Sequence, residues 1–234
     1  VKKALILSFG MGGLAKGLWK SSTGNLEEFK LTDMKKDVEP KKVTVIIPAY
    51  NEEAIIEDTV EKVTQTLEEM SDKYQWELLL VNDGSKDNTG AIMDELASTN
   101  GSIRVAHHRT NYGRGKALKT GFKEATGDII ITLDADLSYS TEHISKLIEK
   151  LEETDADIVS ASCYAPGGKV ENVPFRRKLM SKIGNMLLSR AMGGDITVAT
   201  CIVRAYKGDV IKSLDLISDG KDLHPEILYK ARNV

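Results

Sequence analysis

From Val43 onward, short runs of β-branched and leucine residues alternate with longer amphipathic stretches, and this alternation leaves few folds open. The runs are Val43-Thr-Val-Ile-Ile47, Trp76-Glu-Leu-Leu-Leu-Val81, Ile103-Arg-Val-Ala106, Ile129-Ile-Ile-Thr-Leu133 and Ile158-Val-Ser-Ala161. Each is too short for a helix, and mostly apolar runs of this kind suit strands buried on both faces. Between them, residues 53–74, 88–98, 113–124 and 141–153 read as helices. In the first, Ile55, Ile56, Val60, Val63 and Leu67 return at helical spacing and form one apolar face. Strand and helix in alternation predict an α/β fold: a Rossmann-like, mostly parallel sheet with helices on both faces. Such a sheet binds ligands beyond the carboxyl ends of its strands, so the chemical residues should lie there.

They do. Pro48-Ala-Tyr-Asn-Glu-Glu53 follows the first run, Asn82-Asp-Gly-Ser-Lys-Asp-Asn-Thr89 the second, and Asp134-Ala-Asp-Leu-Ser138 the fourth. One acidic loop is commonplace; three at the same end of three strands point to a site. Asp134 and Asp136 form the sharpest pair. At positions i and i+2 of an extended segment both side chains point to one side. Two carboxylates held close repel, and a hard divalent cation such as Mg²⁺ or Mn²⁺ relieves that repulsion while sharing a diphosphate. A solvated acidic turn would carry the same residues, but here a buried strand leads into them. Asp83, ahead of Gly84, is placed to accept a hydrogen bond from a base or ribose, or to serve only a turn. Asn111-Tyr-Gly-Arg-Gly-Lys-Ala117 lacks P-loop spacing, yet its glycines and Lys116 open a helix suited to an anion, with Lys116 as a point charge toward phosphate. A basic, solvated helix start is the alternative.

Other features bound the reading. The chain has 234 residues, 41% hydrophobic and 29% charged, a composition of folded globular proteins. A formal net charge of -3 gives no electrostatic case for nucleic acid. Cys163 and Cys201 lack metal-ligand spacing, imply no disulfide framework and are read as small buried residues. His107, His108 and His143 are assigned to structure, and His224 stays open. Residues 1–42 are read as an N-terminal extension and linker, ahead of a catalytic domain over 43–234. Gly10-Met-Gly-Gly-Leu-Ala15 matches a dinucleotide fingerprint in spacing, but the polar segment from Ser21 to Lys42 supplies no second strand. An appended strand-turn-helix or a membrane-surface anchor fits better. No run reaches the roughly 18 apolar residues of a spanning helix. Residues 175–192 instead read as a basic amphipathic helix, with Leu179, Met180, Ile183, Met186, Leu187 and Ala191 as its apolar stripe. Arg176, Arg177, Lys178, Lys182 and Arg190 supply charge suited to a membrane surface; packing on the chain's own domain is the alternative.

In their order, Pro48 to Glu53, the Asp83-Gly-Ser85 segment, Asn111 to Ala117 and Asp134-Ala-Asp136 resemble the motifs of family-2 glycosyltransferases. The chain is most similar to the branch that contains dolichyl-phosphate mannose synthase, through Gly167-Gly168, Pro174-Phe-Arg-Arg177, Arg204-Ala-Tyr206 and Glu226 to Ala231. The resemblance implies an A-type glycosyltransferase fold and an inverting enzyme. It would move a sugar from a UDP- or GDP-sugar to a polyprenyl, dolichyl-type phosphate, in the cytoplasm or at the cytoplasmic face of a membrane, using Mg²⁺ or Mn²⁺. Pro48, Ala49, Tyr50, Glu52 and Asp83 would hold the nucleoside. Asp134, Ala135 and Asp136 would line the diphosphate and metal, with Ser138 a further metal ligand where the branch often has Gln. Arg177 would lie near the acceptor phosphate and count with the catalytic aspartates, and Arg204 would also serve the acceptor. The sequence departs from the family pattern at Asn82, Cys163 and Cys201-Ile202-Val203. A phosphate acceptor is already ionised and needs no general base, whereas a hydroxyl acceptor would need one. No Glu-Asp pair follows the Asp134 loop, and only Asp195 and Asp222 stand as lone candidates. Two alternatives remain: a family-2 enzyme acting on a carbohydrate or glycolipid hydroxyl, and a nucleotide-sugar-binding module without turnover.

Overall fold

The computed structural model describes residues 6–9, 40–162, 175–191 and 198–233. Gly10 to Ala15, Cys163, Gly167-Gly168 and Asp195 lie outside the described residues. The strands are β1 (Ile6–Phe9), β2 (Lys42–Ala49), β3 (Gln75–Asn82), β4 (Ile103–His107), β5 (Ile129–Thr132), β6 (Ile158–Ala161) and β7 (Arg204–Lys207). The helices are α1 (Ile56–Glu68), α2 (Thr89–Thr99), α3 (Arg114–Glu124), α4 (Glu142–Glu153), α5 (Phe175–Ala191), α6 (Gly208–Ser213) and α7 (Leu223–Arg232).

The strands form one sheet in the order β1-β6-β7-β5-β2-β3-β4. All neighbours pair parallel except β7, which runs antiparallel to both β5 and β6. The parallel, doubly covered sheet expected from sequence is therefore present, with one reversed strand inserted. Val45, Ile46, Ile47, Leu78, Leu80, Val81, Ile130 and Ile131 are fully buried, as continuous apolar runs require of central strands. The chain moves from β2 to β3 to β4 in one direction and then returns across β2 to β5. Right-handed crossovers therefore place α1 and α2 on one face and α3 on the other. The reversal falls between β2 and β5, the topological switch point at which such sheets bind ligands.

Helix α1 starts later than its apolar spacing predicts. Residues 51–53 tie two loops together, a turn follows over 53–55, and Ile55 and Ile56 both donate to the Glu52 carbonyl. Its inner face is the expected one: Ile56, Val60, Val63 and Leu67 are buried. β7, α6 and α7 carried no expectation from sequence. In Arg204-Ala-Tyr-Lys207 two of four residues are charged, and β5 and β6 are what make that segment a strand.

At the end of the sheet remote from the switch-point loops, Glu77 binds four segments together. Its carboxylate accepts from Thr44 Oγ1 at 2.6 Å and the Thr126 amide at 2.8 Å. Lys42 and Arg104 approach its other oxygen at 3.2 and 3.4 Å. Burial by itself would raise its pKa; the hydrogen bonds from Thr44, Thr126 and Lys42 outweigh that and bring it from 4.5 down to about 2. A depressed carboxylate pKa gives stability that is present above the unfolded value and lost as pH falls through the folded one. Glu77→Gln is therefore expected to cost about 2–3 kcal/mol at pH 7. Urea unfolding at several pH values checks this: the gap between variant and wild type should close as the medium is acidified from about pH 5 toward about pH 2. A gap independent of pH would rule the charge out as its source.

Candidate active site

β2 outlasts β5, and the difference in length makes the site. The β2–β5 pairing ends at Ile46 opposite Thr132, with one further bond from the Leu133 amide to the Ile46 carbonyl at 3.0 Å. On its other side β2 stays paired with β3 to Ala49 opposite Asn82. Alternate residues of β2 bond to alternate neighbours, so Pro48 faces the side β5 has left and its missing N–H leaves no ladder bond unmade. A notch opens there, floored by buried Pro48 and Ala49, with exposed Tyr50 and half-buried Glu52 beyond.

The Asp134 loop borders this notch. Thr59 of α1 donates to the Ala135 carbonyl at 2.6 Å, which turns buried Ala135 inward. Ala135 therefore fastens the loop to α1, and the expected lining of a diphosphate falls to the two residues beside it. Leu137 takes a left-handed backbone, φ 45°, an uncommon conformation for a branched side chain. That turn brings the Ser138 amide and hydroxyl to Asp136 Oδ1 at 2.9 and 2.7 Å. Ser138 thus orients Asp136 in this state. Asp134 is half-buried and Asp136 exposed. Burial raises the Asp134 pKa first; Arg114 lowers it and the Asp136 charge raises it again. Glu52 is raised mainly by burial and next by Asp136, with Arg114 opposing and Asp87 and Asp134 adding. Three carboxylates thus share one electrostatic field. Their oxygens suit Mg²⁺ or Mn²⁺, and Asp134 with Asp136 would hold the ion, which would supply a counter-charge for a diphosphate. Among the described residues no group of three His, Cys, Asp or Glu side chains is placed to enclose a metal, so such an ion would need oxygens from its ligand or from water.

The two nucleoside-side loops interlock. The backbone amide of Asn51, a residue at φ 56°, donates to Ser85 Oγ at 3.0 Å, and Asn51 Oδ1 accepts from the Lys86 amide at 2.8 Å. The Glu52 amide donates to Thr89 Oγ1 at 2.8 Å, and Glu53 accepts from the Asn88 amide at 2.9 Å. Asn82, which stands where the family usually has Asp, accepts from the Ser85 amide at 2.9 Å and lies 3.0 Å from His107.

Three of the expected site residues have partners within the protein itself. Asp83 has a side chain only 4% exposed. Its oxygens receive the Tyr112 amide at 3.0 Å, the Gly113 amide at 2.8 Å and His108 Nδ1 at 2.7 Å. In this state it builds the 108–113 loop. Arg204 is fully buried, donating to the carbonyls of Ala199 at 2.7 Å and His224 at 3.0 Å. It braces the wall behind the site and presents no surface to an acceptor. Lys116 is exposed, but its amide donates to the Asp219 carbonyl at 3.1 Å. The 217–220 strap covers that helix start, so of Lys116 the side chain remains for a phosphate. His107 and His108 are structural as expected, and so is His143, whose Nδ1 meets the Ser140 carbonyl at 2.8 Å. His224 is buried beside Arg204, and burial together with the Arg204 and Arg114 charges lowers its pKa to about 3. Cys201 is buried and free. Arg177 falls on α5, but its side chain lies outside the described residues. The feature missed from sequence is Arg114, whose guanidinium pairs with Asp134 Oδ1 at 2.9 Å. It sits inside the Asn111 to Ala117 motif, where only the glycines and Lys116 drew notice.

Residues 44–215 match the sequence profile described as Glycosyl transferase family 2. The chain belongs to glycosyltransferase family 2. Its curated relatives include a dolichol-phosphate mannosyltransferase of Pyrococcus furiosus, 35% identical over 195 residues, covering 82% of this chain and 53% of the relative. An undecaprenyl-phosphate 4-deoxy-4-formamido-L-arabinose transferase of Serratia proteamaculans is 36% identical over 180 residues, covering 76% and 52%. This family-2 chain thus spans about half the length of the curated relatives it matches. Among solved structures, glucosyl-3-phosphoglycerate synthase of Mycobacterium tuberculosis with Mn²⁺, UDP and glucosyl-3-phosphoglycerate superposes with a TM-score of 0.62 at 20% identity, over 88% of this chain and 70% of that one. A mannosyltransferase of Pyrobaculum calidifontis with GDP-Man and Mn²⁺ gives 0.53 at 22% identity, over 81% and 52%. At these identities the likeness is one of fold, the A-type glycosyltransferase fold.

Proposed function

We propose that this family-2 chain is the catalytic part of an inverting glycosyltransferase that moves a sugar from a UDP- or GDP-sugar to a polyprenyl phosphate. The observation that carries this reading is the Asp134–Asp136 pair at the switch-point notch, in a chain about a third identical to two transferases named for polyprenyl phosphate acceptors. Tyr50, Glu52 and the loops ordered by Asp83 would hold the nucleoside. Asp134 and Asp136 would hold Mg²⁺ or Mn²⁺, and Lys116 would add charge toward the leaving diphosphate. The acceptor phosphate arrives ionised, so its oxygen attacks the sugar carbon without a base as the bond to the diphosphate breaks. Asp222, the described candidate for a base, precedes α7 and is exposed, with its carbonyl accepting from the Glu226 amide.

A membrane surface as partner is supported by α5. Met180 is 72% exposed, and Ile183, Met186 and Leu187 are exposed beside it. The opposite side holds the helix to the domain: Asn185 is buried and accepts from the Ala199 amide at 2.9 Å. Among the described residues no helix is long and apolar enough to cross a membrane. A helix fastened on one face and apolar on another suits the headgroup region at the cytoplasmic face.

The test is transfer of labelled sugar from UDP- and GDP-sugars to a short polyprenyl phosphate in detergent. Arg177→Ala should raise the acceptor concentration needed by about ten- to a hundredfold, as for one lost charge-assisted hydrogen bond, with donor binding unchanged. Arg177→Lys should recover part of this, since the guanidinium fork is lost. Transfer by the wild type to glycolipid or free-sugar hydroxyls but never to the lipid phosphate would replace this reading with a hydroxyl-directed one. Donor binding without transfer or hydrolysis would leave a binding module.

A further inference from the structure

Arg114 stands on backbone pinned from both sides. Before it, Gly113 holds φ 95° with its amide on Asp83 Oδ2. After it, Gly115 lies so close to the 217–220 strap that a Cβ there would come within 2.5 Å of the Asp219 carbonyl carbon. The strap is itself fixed. Glu226 accepts the amides of Ile217 and Ser218 at 2.8 Å each, and Lys119 meets Asp219 Oδ1 at 2.6 Å. Only side-chain torsions are left to Arg114, whose side chain is 47% exposed and whose guanidinium rests on Asp134. Its charge also acts on Glu52 and on His224, so it stands central to the site.

A divalent cation and a guanidinium cannot both occupy the inner side of one carboxylate without like-charge repulsion. An ion that binds the Oδ1 atom held by Arg114 therefore displaces the guanidinium from it. The displaced guanidinium is pinned at its base near a carboxylate-rich notch, and an incoming diphosphate is the anion its planar fork fits best. We infer that Arg114 is an exchangeable counter-ion: it holds Asp134 in the metal-free protein and passes to the phosphate oxygens of the nucleotide when metal and nucleotide bind. This rests on the nucleotide-sugar reading above and adds a direction to it. Arg114 opposes the metal alone and favours the metal together with a diphosphate, so it couples the two binding events.

The coupling gives the experiment. Mn²⁺ alone is titrated by electron paramagnetic resonance into wild type, Arg114→Gln and Arg114→Lys, and UDP and GDP are titrated by calorimetry with and without Mn²⁺. Arg114→Gln should bind Mn²⁺ alone about three- to tenfold more tightly, as expected when a partly exposed competing cation is removed. The same variant should bind the preferred diphosphate about tenfold or more weakly in saturating Mn²⁺. Arg114→Lys should keep the opposition to metal and lose part of the diphosphate affinity. A purely structural role would weaken both ligands together. Unchanged or weaker Mn²⁺ binding by Arg114→Gln, with wild type binding nucleotide normally, overturns the exchange alone. Wild type that binds neither diphosphate with Mn²⁺ overturns the nucleotide-sugar reading and the exchange with it.

Discussion

Asp136→Ala is expected to lower sugar transfer by about a thousandfold or more while leaving the fold intact. The two halves of this expectation have separate grounds. Asp136 is exposed, and its carboxylate accepts from the amide and hydroxyl of Ser138 in the same loop. Removing it empties no core position, so the melting temperature should move by no more than a few degrees. For chemistry the loss is large. Asp134 is burdened by burial and engaged by Arg114, so it cannot replace a two-carboxylate clamp by itself. A metal held by one carboxylate would be poorly placed to neutralise charge growing on the leaving diphosphate. The assay is transfer at saturating Mn²⁺ and again at saturating Mg²⁺, alongside thermal unfolding. Near-normal transfer with either ion would remove Asp136 from the metal site.

Asp83→Ala should act in the opposite way, on the fold first and on ligand binding through it. The buried carboxylate answers two backbone amides, Tyr112 and Gly113, together with His108. Alanine would leave those donors facing a cavity, at about 1–3 kcal/mol for each one that finds no water. A total loss of about 3–5 kcal/mol in urea unfolding is expected, a large part of a typical domain's stability. Weaker UDP or GDP binding should accompany it, because the loop that Asp83 holds also carries Arg114. Asp83→Asn discriminates the mechanism: an amide can accept at one oxygen only, so an intermediate loss follows. If Asp83→Ala weakens nucleotide binding with stability unchanged, the residue contacts ligand directly and the loop role is wrong.

The contrast between these two aspartates marks how far the site was legible. Both end a buried strand, and in the chain both look like ligands for something outside. Asp134 and Asp136 follow β5, which stops short, so their side chains meet the notch. Asp83 follows β3, flanked on one side by β2 and on the other by β4, and the 108–113 loop after β4 closes over it. No local pattern distinguishes a strand that ends early from one whose neighbour folds across its end. Arg114 was overlooked for the same reason: it pairs with a carboxylate twenty residues on, across the sheet. The resemblance assigned Arg204 to the acceptor, whereas in the fold its two terminal nitrogens donate to the carbonyls of Ala199 and His224, which lie far apart in sequence, inside the core.

The sequence by itself determined the parallel sheet, the helices between its strands and the edge at which chemistry collects. These follow from local periodicity and from the rule that loops at strand ends, unlike the strands, are free to be polar. Only the tertiary structure decided the rest: the reversed strand β7 between β5 and β6, the inward turn of Asp83 and Arg204, and the pairing of Arg114 with Asp134. Each depends on which neighbour supplies hydrogen bonds and counter-charge, and neighbours distant in the chain are brought together only when the sheet is assembled.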